Sequence, residues 1–93
     1  MSGAASSGGT VTVRYWAAAR AAAGRAEDTV PAGALDAVLA AALALHPDNE
    51  RLVRVVSICS VLVGDVAVRP DDHPGVDVEG GSVVELLPPF AGG

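Results

Sequence analysis

The run Ser82-Val83-Val84-Glu85-Leu86-Leu87 reads as a strand, and Pro88-Pro89 stop it just short of the end of a 93-residue sequence. Proline has a fixed φ and no N–H, so a pair of prolines ends a ladder and holds the following segment extended. Such a strand leads straight into the last residues, Phe90-Ala91-Gly92-Gly93, which a folded body would present as an arm. Four residues reach at most roughly 13 Å. Glycine lacks a Cβ, so Gly92-Gly93 is the thinnest peptide a chain can present, able to enter a narrow tunnel and offer an α-carboxylate to a nucleotide. The bland alternative is a frayed end that finishes in glycine. The strand and the proline brace behind it favour a presented arm.

Upstream, Val11-Thr12-Val13-Arg14-Tyr15-Trp16 alternates with period two and predicts a first strand. Ala17 to Ala23, closed by Gly24, predicts a turn of helix. Arg25 to Val30 predicts an edge strand that pairs back as a hairpin. Leu35, Val38, Leu39, Ala42 and Leu45 recur at helical spacing, which predicts a helix from Ala34 to His46. Asp36 sits at its positive end and Pro47 ends it. Glu50 to Val56 fits either class. Ser57 to Val63 and Val66 to Arg69 predict strands around Gly64-Asp65, and Asp71-Asp72-His73-Pro74-Gly75 is loop chemistry. The expected organisation is a flexible leader over 1–10, one domain over 11–87, and an extended tail over 88–93. The order β-β-α-β-β-β suits an α+β layer in which a sheet packs one face on a main helix.

Strand parity then assigns faces. If Val11, Val13 and Tyr15 point into the core, Thr12, Arg14 and Trp16 point out. If Val84 and Leu86 point in, Val83, Glu85 and Leu87 point out. Trp16 and Leu87, with Phe90 close by, would then form an exposed apolar patch beside the tail, the usual mark of an interaction surface. Otherwise Trp16 folds under the Ala17 to Ala23 segment and fills a gap.

Composition narrows the function classes. The net charge is −5 and all six basic residues are arginines (Arg14, Arg20, Arg25, Arg51, Arg54 and Arg69), scattered along the chain. No basic stripe exists to neutralise phosphates, which disfavours nucleic acid as a partner. The single cysteine, Cys59, excludes an internal disulfide and suits a reducing cytosol; inside Ile58-Cys59-Ser60-Val61-Leu62-Val63 it reads as a buried, inert thiol. No apolar run approaches a membrane span, and the Ser/Gly/Ala-rich start carries no signal-peptide pattern. His46 lies beyond a helix end where a cation is favourable, and His73 beside Asp71 and Asp72 reads as solvated loop chemistry with no metal pattern. Gly80-Gly81 precedes a strand, so it is no phosphate loop.

Tyr15-Trp16-Ala17 with Arg20 and Gly24, then Pro31-Ala32-Gly33 before a helix, then Leu86-Leu87-Pro88-Pro89-Phe90-Ala91-Gly92-Gly93, form a recognisable set. From Val11 to Gly93 the chain resembles the ubiquitin-like sulfur carriers, above all the small subunits of molybdopterin synthase. The resemblance implies a β-grasp fold, with a mixed sheet packed on one main helix. It implies a protein that is no enzyme on its own. An E1-like adenylyltransferase would use ATP to adenylate Gly93, and a sulfur donor would convert it to a thiocarboxylate. The tail would then enter the large subunit of the synthase and deliver sulfur to a pterin precursor of molybdenum cofactor. Gly93 would carry the sulfur, with no bound cofactor, while Pro88, Pro89, Phe90, Ala91 and Gly92 thread the channel. Trp16, Leu87 and Arg20 would meet partners, although a surface arginine without a special role suits Arg20 equally. The chain departs from the family at Ala34, where a capping Thr is usual, at Gly81-Ser82 in place of Gly-Asp, and at Val63 in place of Asn. Two alternatives use the same tail: a carrier for thiamine or cysteine synthesis, and a modifier that forms isopeptide bonds. An inert binding module is a further one.

Overall fold

The computed structural model describes residues 8–89. Seven strands alternate with three helices: β1 (Thr10–Tyr15), α1 (Ala17–Ala23), β2 (Glu27–Pro31), β3 (Gly33–Ala34), α2 (Leu35–Ala44), α3 (Glu50–Ser57), β4 (Ser60–Val63), β5 (Val66–Val68), β6 (Asp77–Val78) and β7 (Val83–Leu87). Five strands form one mixed sheet in the order β2-β1-β7-β4-β5. The central pair β1–β7 is parallel and the other pairs are antiparallel. This is the β-grasp arrangement: a twisted sheet with one face wrapped on its longest helix. Among the described residues no helix is long and apolar enough to cross a membrane.

The alternation read from the sequence sets the layers. Val11, Val13 and Tyr15 of β1, Val30 of β2, Val61 of β4, and Val84 and Leu86 of β7 are buried on the inner face. They meet Leu35, Val38 and Ala42 of α2 and Ala19 of α1 in one cluster. Each fully buried Val or Leu removes enough apolar surface for about 1.5–3 kcal/mol. The alanines let the helices approach the sheet closely.

Several boundaries differ from expectation, each for a local reason. β1 starts at Thr10, inside the expected 1–10 leader, because Thr10 pairs with Pro31 and its carbonyl accepts from Gly81 N at 2.8 Å. It ends at Tyr15, and Trp16 is the N-cap of α1. The hairpin strand runs from Glu27 to Pro31 instead of starting at Arg25. The stretch from Glu50, which fits either class on sequence, is helix. Asn49 caps it by accepting from Leu52 N at 2.9 Å, and the Asn49 amide also donates to Ala22 O at 2.9 Å, tying α3 to α1. Its last turn takes Ser57, and Ile58 N and Cys59 N still bond back to Val55 O and Val56 O. The next strand therefore begins at Ser60 and not at Ser57. Helix α2 stops at Ala44, short of His46. Asp71 to Gly75, expected as loop, lies within a 3-10 helix over Pro70–Gly75.

The family departures are absorbed locally. Ala34 offers no side-chain cap, but its residue pairs with Asp77 through the short β3–β6 ladder, and Leu35 N donates to Val76 O at 2.8 Å. Ala37 N, a donor that a capping Thr could have taken, donates instead to Asp36 Oδ1 at 2.8 Å. Val63 is simply the last strand residue, paired with Val66 across a two-residue turn. Gly64 and Asp65 both have positive φ (54° and 71°), the mirror-image turn that suits tight hairpins.

Candidate functional site

Because β1 and β7 run parallel, their C-terminal ends lie side by side, with Tyr15 opposite Leu86 and Trp16 N donating to Leu86 O at 3.1 Å. The tail therefore leaves the sheet next to the point where β1 turns into α1. That turn is abrupt. Ala17 adopts φ 49°, a left-handed conformation that costs an alanine roughly 1–2 kcal/mol. The reversal carries α1 back over the sheet and leaves Trp16 pointing away from the core.

Trp16 is 43% exposed, and its indole Nε1 donates to Glu85 Oε2 at 3.0 Å. The hydrogen bond fixes the ring against the outer face of β7. Trp16, Ala17, Leu87 and Pro88 line a mostly apolar pocket of about 170 Å³. Leu87 is half-buried. Pro88 is buried while Pro89 is exposed, so the chain breaks from the body between the two prolines. The parity reading is thus correct for Trp16 and Leu87, and the gap-filling alternative for Trp16 is not what forms. Arg20 lies one turn beyond Trp16 and is exposed, and its side chain has no hydrogen-bond or ion-pair partner among the described residues. Phe90, Ala91, Gly92 and Gly93, the proposed channel and reactive residues, lie outside the described residues.

Two features of the site escape single-sequence reading. Glu85 is assigned to the outer face by parity, but its bond to Trp16 depends on the β1–β7 register, 69 residues apart in the chain. The second is a polar cluster around Tyr15, the residue before Trp16. Asp28, on the inner face of β2, is buried and accepts from Tyr15 Oη at 2.7 Å and from Arg25 Nε at 2.6 Å. His46 Nε2 lies 2.6 Å from the same carboxylate, and the Tyr15 and His46 rings meet edge to face. Burial by itself would raise the Asp28 carboxyl. The hydrogen bonds from His46 and Tyr15 and the Arg25 charge outweigh it and hold the group below the usual carboxylate range. Burial, then the Asp28 contact, pushes the Tyr15 phenol well above its usual range. His46, just beyond the end of α2, thus anchors a buried aspartate. His73 Nε2 lies 3.3 Å from Val68 O and steadies the 3-10 turn.

Cys59 is half-buried, its Sγ donates to Val55 O at 3.2 Å, and burial pushes its thiol up to about 11. The sequence reading of a buried strand thiol is corrected in place and degree, since Cys59 is half-buried and stands just before β4, with its sulfur bonded back to α3.

No protein-family model and no curated protein matches the chain. Solved structures do. The small archaeal modifier protein SAMP1 from Haloferax volcanii superposes with a TM-score of 0.75 at 23% identity, covering 91% of this chain and 100% of that one. Small archaeal modifier protein 1 from Methanosarcina acetivorans gives 0.71 at 21% identity, covering 92% and 98%. A chain from the complex of subunits 1 and 2 of molybdopterin-converting factor from Helicobacter pylori gives 0.61 at 21% identity, covering 90% and 99%. Such likeness establishes the ubiquitin-like β-grasp fold.

Proposed function

We propose that this chain is a sulfur carrier of the molybdopterin synthase small-subunit type, working from the carboxylate of Gly93. The observation that carries the reading is the root of the tail. The last strand breaks from the body between a buried Pro88 and an exposed Pro89, beside an outward Trp16–Leu87 patch. A partner gripping that patch receives whatever follows Pro89 at a fixed point.

The chemistry follows from what a carboxylate lacks. It is a poor electrophile, so an E1-like enzyme joins it to the α-phosphate of ATP and releases pyrophosphate. A persulfide attacks the acyl carbon of the adenylate and expels AMP, and a thiol cleaves the resulting disulfide to leave the thiocarboxylate. The sulfur then attacks the pterin precursor inside a large-subunit partner. The pairing of subunits 1 and 2 in the Helicobacter pylori converting factor supports such a partner. On this chain Trp16 and Leu87 dock, Glu85 holds the indole in place, and Arg20 offers an unpaired cation near the root. Gly92 gives clearance and Gly93 carries the sulfur. This assignment places the protein in the cytoplasm, where the precursor is made and thiols stay reduced.

A second reading, a protein modifier, draws support from the higher TM-scores to SAMP1, 0.75 and 0.71 against 0.61. One experiment tests both. The chain is incubated with an E1-like adenylyltransferase shown to be active on another carrier, ATP and a sulfur donor, then weighed intact. Replacement of one oxygen by sulfur at Gly93 supports the carrier. Amide-linked adducts on added target proteins support the modifier. An unchanged mass removes both.

A further inference from the structure

We propose that β5, at one margin of the sheet, pairs antiparallel with β5 of a second copy of this chain, in a two-fold register centred on Ala67. The inference does not depend on the chemistry of the tail. It rests on where the backbone groups of the margin point, which side chains flank them, and how symmetry matches the two.

β5 (Val66–Val68) is the last strand in the order β2-β1-β7-β4-β5, so one side of it has no neighbour. Hydrogen-bond parity tells which groups that side exposes. Gly64 N donates to Val83 O at 3.1 Å, so Leu62, in the same register, directs its backbone groups toward β7. Val61 and Val63 then bond across to Val68 and Val66, the latter pair closing the Gly64-Asp65 turn. Leu62 and Ala67 are the non-hydrogen-bonded pair between them. The N–H and C=O of Ala67 therefore point out of the sheet, and Ala67 is exposed. The other margin, β2, ends in Pro31, which cannot donate to a further strand.

An antiparallel copy centred on Ala67 exchanges both N–H···O bonds between the two Ala67 residues. Val66 then stands opposite Val68 of the second copy, and Asp65 stands opposite Arg69. The surface fits this register. Val66 is 64% exposed although it shares a sheet face with the buried Val61, and pairing with Val68 would cover it. Asp65 and Arg69 are exposed, and neither side chain has an ion-pair partner among the described residues. Residues directly opposite on paired strands hold their Cβ atoms about 4.5–5.5 Å apart, within reach of an Arg–Asp pair. Flanking charges of one sign would repel a copy, a common protection of sheet margins. Here the signs are opposite, and the two-fold axis brings each charge onto the other. An open cavity of about 600 Å³ beside Ala67, Val68 and Arg69 leaves room for the incoming strand. Asp71 and Asp72 also line it; both are exposed, and solvent screens their repulsion on Asp65 of the second copy.

The pairing leaves the root of each tail uncovered. Leu87 is opposite Ser60, and Arg69 follows the Val61–Val68 pair, so the root stands level with the Arg69 end of β5. That end lies beside Asp65 of the second copy, and the two tails leave opposite ends of one continuous sheet. A contact this short falls below the area of a stable dimer, so the association is weak, with a dissociation constant on the order of 0.1–1 mM.

Sedimentation equilibrium of the full chain, from about 10 μM to about 1 mM, tests the pairing, with every variant checked for folding by circular dichroism. The natural chain should move from the monomer mass toward twice that mass as concentration rises. Ala67→Pro removes the central N–H at a margin position that tolerates proline, and it should stay monomeric. Arg69→Glu alone and Asp65→Lys alone each set like charges opposite one another, and each should weaken association at least about tenfold. Mixed in equal amounts, these two variants regain an acid–base pair on both sides of the axis. The mixture should associate as tightly as the natural chain. Three results overturn the inference: a natural chain that stays monomeric throughout, which leaves the margin to a strand of another protein; an Ala67→Pro chain that pairs equally well; or a mixture no tighter than its components.

Discussion

Replacing Asp28 with alanine tests whether the cluster around Tyr15 holds the end of β1 in place. The carboxylate is buried and accepts from three donors at 2.6–2.7 Å, the Tyr15 hydroxyl, Arg25 Nε and His46 Nε2. Removing it leaves the buried Tyr15 hydroxyl and the mostly buried His46 ring without their partner. Deleting one member of a buried, hydrogen-bonded pair costs about 3–5 kcal/mol. Arg25 adds little to this, because its side chain is 51% exposed and solvent screens it. At roughly 4–8 °C per kcal/mol for a domain of this size, Tm falls by at least about 12 °C. Tyr15→Phe removes only one donor, costs about 1 kcal/mol, and adds much less than its own cost on top of Asp28→Ala. The pH dependence has a definite sign. The folded-state carboxyl is depressed below its unfolded value near 3.9. Its stabilisation is therefore present above that value and is lost as pH falls through the lower, folded one. Thermal unfolding followed by circular dichroism between pH 2 and 7 measures this. The gap between the natural chain and Asp28→Ala should narrow below about pH 4. A loss under 1 kcal/mol at neutral pH, or a gap that widens in acid, would refute the account.

Further predictions concern the tail, the patch, the glycine contact and the thiol. Gly92→Val should leave Tm unchanged and reduce adenylation at least about tenfold in a pyrophosphate-exchange assay, since a β-branched side chain fills the clearance the tunnel needs. Leu87→Asp should weaken binding to the activating enzyme by about 2 kcal/mol, roughly 30-fold by calorimetry, with little change in Tm because Leu87 is only half-buried. In Gly80→Ala, the new Cβ would stand 2.9 Å from Gly8 O and 3.1 Å from Gly9 Cα, so backbone must move at a cost of about 1–3 kcal/mol. An unchanged Tm would show that the start of β1 is not held against that turn. Cys59, with a thiol pushed up to about 11, should alkylate on the order of 100-fold more slowly than a free cysteine at pH 7.5, and equal rates would contradict its burial.

What could be read from the chain, and what could not, divides by distance along the sequence. The alternation of Val11, Val13 and Tyr15 and of Val84 and Leu86 reports which face of each strand is buried, because period two is local. It therefore places Trp16 and Leu87 on the outside. Helix α3 was illegible because its start depends on Asn49 capping Leu52 N while also bonding Ala22 O, a contact between segments far apart in the chain. The two-residue strands β3 and β6 were illegible for the same reason: each exists only as the other's partner.

The division also explains how neighbouring residues take opposite tasks. Tyr15 points inward and is pinned by Asp28 of β2. Trp16 points outward and is pinned by Glu85 of β7, and the left-handed turn at Ala17 separates the two. The buried ring and the exposed ring are therefore held by different partners on different strands. Glu85→Gln should accordingly loosen the indole, shifting the fluorescence of the single tryptophan, while leaving Tm within about 0.5 kcal/mol of the natural chain. Asp28→Ala should do the reverse, lowering Tm while the molecules that remain folded keep the indole's emission. If both variants moved both readouts together, Tyr15 and Trp16 would be one structural unit, and the patch at the root of the tail would be a by-product of the core.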